Sequence, residues 1–478
     1  MNYRMIIYVL GWILNFEALF LLPSAAAGLI FREREGLSIL VTAAICLVLG
    51  LLAVRRKPQR AKLYAREGFI SVALSWLVLS FFGALPFYFS GYIPSIIDAV
   101  FETASGFTTT GASILADVEA LPKCLLFWRS FTHWIGGMGV LVFVIAILPL
   151  AGGSNMYLMK AESPGPSVKK LVPKVKRTAV TLYLMYLLIT VVEFIFLVAG
   201  RMPVFDALCT SFGTAGTGGF GIRNDSIAGY SSYIQVVVTV FMILFGVNFN
   251  VYYLIYKKKW KDMLKCTEVI VYLTIIAVSI LLISINIRGM YSSGATAVKD
   301  AAFQVGSIIT TTGFSTANFD LWPAFSKTVL VLLMFVGACA GSTGGGIKVS
   351  RVVIIFKTVT KELDYIIHPN NVKKIKIEGK QLEHTVLRST NVFIMAYIFI
   401  FVGSLLLISL DNFDLVTNFT AVAATLNNIG PGLGGVGPVS NFSAFSGFSK
   451  IVLTFDMLAG RLELFPVMIL LSWKTWKK

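Results

Sequence analysis

The sequence predicts an all-α integral membrane protein, and three observations support that prediction. Hydrophobic residues make up 56% of the 478 residues and charged residues only 14%, so a soluble fold of this length would lack the charges to cover its surface. Apolar runs of about 20 residues, each long enough to cross a bilayer as a helix, recur along the whole chain. A half-length apolar stretch followed by a Gly/Thr/Asn cluster occurs four times.

The apolar runs predict ten transmembrane helices. Two come first, at 6–30 and 37–54. The other eight form four pairs, at 69–90 with 125–150, 179–200 with 234–256, 269–287 with 328–356, and 387–410 with 451–473. We therefore expect an N-terminal two-helix hairpin followed by four pore repeats, with boundaries at 1–66, 67–155, 156–262, 263–362 and 363–478.

The basic residues indicate an orientation in the membrane. The net charge is +17, and its Lys and Arg residues cluster in alternate connections between the apolar runs, whereas the connections between them are balanced or acidic. Because connections rich in Lys and Arg remain in the cytoplasm, both termini are predicted to be cytoplasmic. The clusters are Arg55, Arg56, Lys57, Arg60, Lys62 and Arg66; Lys160, Lys169, Lys170, Lys174, Lys176 and Arg177; Lys257, Lys258, Lys259, Lys261 and Lys265; and Lys357, Lys361, Lys373, Lys374, Lys376 and Lys380.

Each helix pair encloses a short apolar stretch that ends in a glycine loop. A stretch of about 12 residues is only about 18 Å long as a helix, so it cannot cross the bilayer. When the loops are aligned on their glycines, a polar residue stands 13 positions earlier in every copy (111 − 98, 219 − 206, 313 − 300, 430 − 417). These residues suit the N-terminus of a half-helix, where an oxygen caps free N–H groups: Asp98, Asp206, Asp300 and Thr417.

The loops themselves are predicted to line a cation pathway. The carboxyl end of each half-helix would point to mid-membrane, where its partial negative charge favours a cation. Glycine reaches the left-handed dihedrals that turn successive carbonyls to one side, and the residue two positions earlier adds a side-chain oxygen. No carboxylate lies in the loops, which favours a monovalent over a divalent cation. The expected ion-binding residues are Thr109, Thr110, Gly111, Thr217, Gly218, Gly219, Thr311, Thr312, Gly313, Asn428, Ile429 and Gly430.

A glycine-rich break in the second helix of the third repeat is a candidate gate. Consecutive glycines in a helix cost about 1 kcal/mol each relative to alanine, so flexible backbone is expected there. The alternative is a kink that permits close helix packing. The residues are Gly341, Ser342, Thr343, Gly344, Gly345 and Gly346, followed by Lys348.

Arg461 lies inside the last apolar helix, where a charge should face a cavity or a partner. We expect it below the loops, with an ion pair to Asp456 or Glu463 as the alternative. Arg129 and His133 are interpreted as packing near a helix start. The intramembrane Glu17 and Glu193 have no assigned role.

Several motifs together resemble the TrkH/KtrB superfamily of bacterial K⁺ uptake proteins, within the Trk/Ktr/HKT group and nearer its TrkH branch. The resemblance covers essentially the whole chain, and the leading helix pair is typical of that branch. The motifs are TTTGAS from Thr108, FWRSFTHWIGGMGVLVF from Phe127, TGGFG from Thr217, TTTGFST from Thr310, NNIGPGLG from Asn427 and GSTGGGIK from Gly341.

The resemblance implies a four-subunit K⁺ channel folded into one chain, with K⁺ as the bound ion, in the bacterial cytoplasmic membrane. It implies a homodimer and a cytosolic nucleotide-binding ring, TrkA- or KtrA-like. That ring would be a separate polypeptide, because no GxGxxG follows a predicted strand here. It also implies that residues 341–346 form a gating loop and that Arg461 limits conduction. The second and fourth loops depart from Thr-Thr-Gly, which leaves the preference for K⁺ over Na⁺ open.

Other functions remain as alternatives. A secondary transporter with broken helices would be expected to have inverted repeats, whereas these four repeats all run in the same direction. A membrane enzyme would need a catalytic constellation, which the sequence lacks. An H⁺- or Na⁺-coupled K⁺ symporter, or a poorly selective Na⁺/K⁺ transporter, fits the residues as well as a channel does.

Overall fold

The computed structural model describes residues 1–55, 58, 65–147, 175–370, 374–377 and 380–477. Its regular structure is helical apart from the strands Lys376–Ile377 and Lys380–Gln381, which pair antiparallel. The predicted all-α membrane fold is therefore confirmed. Within the described residues, six helices are long and apolar enough to cross a membrane, or seven if the bent pair Ser232–Phe245 and Phe249–Tyr256 forms one span. The count of ten spans stays a prediction.

The N-terminal hairpin consists of Tyr3–Phe31 and Gly36–Val54. The first helix begins after Asn2, whose side chain accepts a hydrogen bond from the Met5 amide. Its two helices cross closely at glycines, because a Cβ atom on Gly28 would lie 2.9 Å from the Cα atom of Gly36. Small residues at such a crossing let helix backbones pack tightly in a membrane.

After the hairpin, three kinds of helix recur in the same order four times. The outer helices are Ala65–Phe89, Val175–Ala199, Thr267–Ile287 and His384–Ile408. The half-helices, numbered 1 to 4, are Ile96–Phe107, Val204–Gly216, Gly294–Ile309 and Leu415–Leu426. The inner helices, numbered 1 to 4, are Lys123–Ile147, Ser232–Phe245, Ala324–Val336 and Gly447–Arg461. The exact boundaries between repeats stay a prediction, and the first of them falls within residues 148–174, outside the described part.

Three inner helices are interrupted, although the sequence predicted a break in the third alone. The second turns by 89° before Phe249–Tyr256. The third stops at Val336 and resumes as Val349–Ile367, so the break covers 337–348 and is longer than expected. The fourth ends at Arg461, because Glu463 and Leu464 adopt left-handed conformations, and the chain continues as Phe465–Leu471 and Trp473–Trp476. A short helix, Trp260–Met263, and the 3-10 turns Arg288–Met290, Phe319–Leu321, Ser409–Asp411 and Gly434–Val436 complete the described elements.

The predicted capping role of the four aligned residues is wrong, although three of them lie in the first turn of a half-helix as expected. Asp98, Asp206 and Thr417 are the third residue of their half-helices, and Asp300 is the seventh because half-helix 3 starts about one turn earlier. The residues preceding the helices hold the cap positions, where extended backbone lets a side chain turn back to the first amides. Side-chain caps are formed there by Ser95, Ser293 and Asp414.

The predicted basic clusters are only partly within the described residues. Those that lie outside are Arg56, Lys57, Arg60, Lys62, Lys160, Lys169, Lys170, Lys174 and Lys373.

Candidate functional site: a ring of four glycine loops

Each half-helix ends in a three-residue loop with the same backbone conformation. We number the loops 1 to 4: residues 109–111, 217–219, 311–313 and 428–430. The first residue of each loop is left-handed, with φ of 55°, 54°, 58° and 57° for Thr109, Thr217, Thr311 and Asn428. The third is a glycine with positive φ, and the middle residue is not. Left-handed backbone is rare for β-branched residues, so its occurrence at three threonines marks a shared constraint rather than a chance turn.

The loops contact one another as a closed ring. A Cβ atom placed on Gly111 would lie 2.1 Å from the carbonyl oxygen of Gly218, the middle residue of loop 2. The same relation continues around the ring, with 2.0 Å from Gly219 to the Thr312 oxygen, 2.1 Å from Gly313 to the Ile429 oxygen and 2.7 Å from Gly430 to the Thr110 oxygen. No side chain fits at these glycines, and each loop presents its backbone to the next.

The ring is enclosed by protein. The first and middle residues of the loops are buried, whereas Gly111, Gly219 and Gly313 are partly accessible. All twelve residues that the sequence singled out are thus brought together. The loops contain no charged residue.

Side chains at the first loop positions are engaged with other protein groups. The Thr109 hydroxyl accepts from Arg461 at 3.1 Å, and the Thr311 hydroxyl accepts from the Gly345 amide at 2.6 Å. The Thr217 hydroxyl donates to the Gly216 carbonyl. The Asn428 side-chain amide donates to the Thr110 hydroxyl at 2.9 Å. These contacts turn four polar side chains toward the protein rather than toward one another.

Bonds between neighbouring repeats hold the surroundings of the ring. The Lys450 ammonium, in repeat 4, lies 2.7 Å from the Asp98 carboxylate in repeat 1. Three further seams join repeats 1 and 2, 2 and 3, and 3 and 4. Their donor–acceptor pairs are Arg129 with the Gly221 carbonyl, Lys299 with the Gln235 side chain, and the Gly434 amide with Asp320. Sequence reasoning missed all four seams, because nothing local marks such pairs.

The helix break at 337–348 lies directly against the ring. A Cβ atom on Gly344 would be 2.8 Å from the Thr310 carbonyl oxygen, and one on Gly345 would be 2.4 Å from that of Asn427. These carbonyls belong to the ends of half-helices 3 and 4. The glycines of the break therefore permit close approach of two backbones.

Arg461 connects the ring, the break and inner helix 1. Its Nη1 atom donates to the Thr109 hydroxyl and, at 2.8 Å, to the Thr343 carbonyl, and its Nη2 atom donates to the Gly136 carbonyl at 2.7 Å. The alternative partners considered from sequence are engaged elsewhere. Asp456 accepts from Ser404 at 2.6 Å, and Glu463 pairs with Arg351.

Charged groups also hold the two ends of the break. Glu268, at the start of the third outer helix, accepts from the Ala340 amide at 2.6 Å and from the Ser350 amide at 3.1 Å. The Lys348 ammonium is buried and donates to the Gly344 carbonyl. Arg351 lies 2.6 Å from Glu463. Sequence reasoning found Lys348 but not Glu268 or Arg351, which are ordinary helix residues by pattern.

The other four residues singled out from sequence are all buried. Glu17 is 1% exposed in the first helix, and Glu193 is fully buried in the second outer helix. Arg129 is not simply packed, because it forms an ion pair of 2.7 Å with Glu102 of half-helix 1. His133 lies one helical turn further along inner helix 1.

Membrane-spanning helices that enclose four half-helices and a closed ring of loops define the class as a multi-span membrane transport protein. Residues 37–477 match the TrkH sequence family, described as "Cation transport protein". The chain is 37% identical to the Trk system potassium uptake protein TrkH of Salmonella typhimurium, with 100% of both chains covered. It is 32% identical to the Trk system potassium uptake protein TrkG of Escherichia coli, with 99% of both covered. The crystal structure of the potassium transporter TrkH from Vibrio parahaemolyticus matches with a TM-score of 0.89 and 34% identity over the full length of both. The chain belongs to the TrkH family.

Proposed function

We propose that this protein takes up K⁺ across a bacterial cytoplasmic membrane through the ring of loops 1 to 4, which acts as a quasi-fourfold selectivity filter. The closed glycine–carbonyl ring carries this proposal. The relatives named potassium uptake proteins support the choice of ion.

The chemistry of the ring suits a large monovalent cation. Its backbone carbonyl oxygens can replace a hydration shell, and it has no carboxylate of the kind that a divalent site uses. The four half-helices end at the ring, so their carboxyl-terminal dipoles add negative potential there. Because the hydroxyls of Thr109, Thr217 and Thr311 bond to protein groups, backbone carbonyls are the main oxygens left for the ion.

Residues 341–346 of the break, together with Lys348 and Arg461, form the gate in this proposal. Two contacts with the ring support it: the Gly345 amide bonds to Thr311, and Arg461 bonds to Thr109. A flexible backbone there can close the pathway, and a fixed positive charge can oppose a passing cation.

The partners follow from the family and the charge pattern. We propose a homodimer with cytoplasmic termini, regulated by a separate TrkA- or KtrA-like nucleotide-binding ring. Among the described residues, Lys357, Lys361, Lys374 and Lys376 form basic surface near the end of the helix that follows the break. No organic cofactor is proposed for this chain.

Reversal potentials of the purified protein in liposomes test the function. In opposed K⁺ and Na⁺ gradients, the potential should follow the K⁺ gradient, and a potential that follows Na⁺ would remove the proposed selectivity.

A second candidate function is H⁺-coupled K⁺ symport, which the buried Glu17 and Glu193 favour because carboxyls at membrane depth can carry protons. A reversal potential that shifts with a pH gradient at constant K⁺ would select symport over a channel.

A further inference from the structure

Loop 2 lacks the side-chain support found behind loops 1 and 3. The hydroxyl of Thr108, just before loop 1, lies 2.8 Å from that of Thr110, and the hydroxyl of Thr310, just before loop 3, lies 2.7 Å from that of Thr312. The matching positions at loop 2 are Gly216, just before the loop, and Gly218, which have no side chains. Two glycines also give this segment more backbone freedom than the other loops have.

The imidazole of His133 occupies the space behind loop 2. A Cβ atom on Gly218 would lie 1.8 Å from His133 Nδ1, and one on Gly216 would lie 2.2 Å from the His133 carbonyl oxygen. His133 is fully buried, and its ring stacks on Phe220, the residue after loop 2, with 4.2 Å between ring centroids. The departure of loop 2 from Thr-Thr-Gly is therefore matched by a side chain from the neighbouring repeat.

Arg129 holds the same segment from one turn away. Its guanidinium carbon lies 3.5 Å from the centre of the Phe220 ring, and its Nη1 atom donates to the Gly221 carbonyl at 2.8 Å. Two groups this close to one ring centre must lie on its opposite faces, so Phe220 is clamped between Arg129 and His133.

The clamp is tied to loop 1 through Glu102. This carboxylate pairs with Arg129 and accepts from the Ile114 amide at 2.9 Å and the Ser113 hydroxyl at 3.0 Å, just after loop 1. We call the set Glu102, Arg129, His133 and Phe220 the brace. It runs continuously from the exit of loop 1 to the back of loop 2.

The charged part of the brace belongs to this seam alone. Glu102, Arg129 and His133 stand 9 before, 18 after and 22 after Gly111 (111 − 102, 129 − 111, 133 − 111). At those offsets repeats 2 and 3 carry no charge: Thr210 and Gln304; Val237 and Val331; Phe241 and Phe335. In repeat 4 the inner helix begins five residues later relative to its loop glycine (447 − 430 against 123 − 111), so the corresponding residues are Ala421, Leu453 and Met457, which are also uncharged. Aromatic rings do recur at the His133 position in repeats 2 and 3, which points to ring volume as the shared requirement.

We infer that Arg129 and His133 are positioning residues that fix the backbone of loop 2 and thereby set the preference for K⁺ over Na⁺. The inference rests on the proposed filter function of the ring. Selection between two monovalent cations depends on the number and spacing of coordinating carbonyls. Loop 2 provides one quarter of these carbonyls, and its backbone lacks the threonine pairs that restrain loops 1 and 3. The brace restrains loop 2 through side chains of the neighbouring repeat, whereas loops 1 and 3 are restrained by their own threonine pairs.

Three single variants and one double variant in liposomes test it, with the K⁺/Na⁺ ratio of initial fluxes as the readout. His133→Ala should lower that ratio about tenfold while maximal K⁺ flux is retained. His133→Phe, which keeps a ring, should retain the ratio. Gly218→Ala should lower it through collision with the imidazole, and adding His133→Ala should recover part of the loss, so the two changes are not additive.

Controls separate the brace from the filter and from stability. Phe127→Ala, on the same helix, removes a buried ring that packs on Phe131 and Phe212 rather than on a loop, so it should lower thermal stability and leave the ratio unchanged. If Gly313→Ser lowers the ratio while His133→Ala does not, the brace is overturned and the filter stands. If neither changes it, the filter proposal itself fails. If His133→Ala does not fold, His133→Leu decides, because it fills the space behind loop 2 without a flat ring: an unchanged ratio overturns the brace, and a lowered one supports it.

Discussion

The guanidinium of Arg461 donates a hydrogen bond to the hydroxyl of Thr109, 3.1 Å away, although 352 residues separate them in the sequence. The same side chain also bonds to the Thr343 and Gly136 carbonyls. Two partners from repeat 1 and one from repeat 3 hold the positive charge beside the first residue of loop 1. The charge is therefore a fixed feature of the ring's surroundings rather than a mobile surface group.

Removing that charge should increase K⁺ flux. Two unit charges about 6 Å apart at an effective dielectric of about 20 repel by about 3 kcal/mol. Arg461→Ala should therefore raise flux by up to about a hundredfold, less whatever water in the pathway screens. The measurement is ⁸⁶Rb⁺ or K⁺ uptake into liposomes without any cytosolic partner. Arg288→Ala, an exposed arginine outside the site, is the control, and a fall in flux with normal insertion would contradict the gate.

Gly313→Ser should reduce the preference for K⁺. The residue has φ of 88°, and a Cβ atom there would lie 2.1 Å from the Ile429 carbonyl oxygen. The serine can be accommodated only if loop 3 or loop 4 moves, which changes the spacing of the carbonyls. Gly403→Ser is a matched control, because a Cβ atom at Gly403 meets nothing within 4 Å. Equal K⁺/Na⁺ reversal potentials in the two variants would count against the filter.

Glu268→Ala should loosen the helix break. The carboxylate accepts from the amides of Ala340 and Ser350, and its loss leaves two donors without that acceptor at a cost of about 1–3 kcal/mol. We expect faster amide exchange across 337–350 and higher basal K⁺ flux. Glu268→Gln keeps an accepting oxygen and should behave closer to the parent protein. Unchanged exchange in the alanine variant would show that the break is held by its contacts with the ring alone.

Breaking the Lys450–Asp98 pair should destabilise the fold. The Lys450 side chain is 7% exposed and that of Asp98 is 26% exposed, so either single change leaves a largely buried charge without its partner. Lys450→Met should cost about 3 kcal/mol of stability. The double variant Lys450→Met with Asp98→Asn should regain much of that loss in thermal unfolding in detergent. If the double variant is as unstable as the sum of both single variants, the pair is not coupled.

Neutralising the described basic surface should weaken binding of the cytosolic ring. Lys361→Gln with Lys374→Gln removes two charges from the expected docking face. Binding of a purified TrkA-like protein should fall most at low salt, where screening is weakest. Lys327→Gln, on the helix before the break, is the control. Equal binding by both variants would indicate docking elsewhere.

The sequence was informative where a local chemical requirement repeats. Each loop needs a glycine because the backbone of the next loop touches it. The four glycines could be aligned from the sequence, and a polar residue stands at a constant offset of 13 before each of them (111 − 98 in the first). The break at Gly344 and Gly345 was visible for the same reason. In both places the close approach of two backbones requires glycine, and a glycine can be recognised in the sequence.

Long-range pairs and changes of helix direction left no such signal. Arg351 and Glu463 are 112 residues apart, and each by itself looks like a polar residue near a helix end. The bend at Phe245 and the end of the fourth inner helix arise in apolar runs that read as continuous spans. The caps were misassigned because the alignment fixed a recurring residue but not the turn at which each half-helix starts.

The four seams between repeats have a consequence for how such a ring can change over evolution. In a homotetramer one codon alters four symmetric positions at once, so a tolerated change must suit every quadrant. Here each quadrant is encoded separately, and its seams already use different chemistry: an ammonium–carboxylate pair at Asp98, a guanidinium over an aromatic ring at Phe220 and a backbone amide to a carboxylate at Asp320. One quadrant can therefore accumulate changes while the other three keep the ring closed.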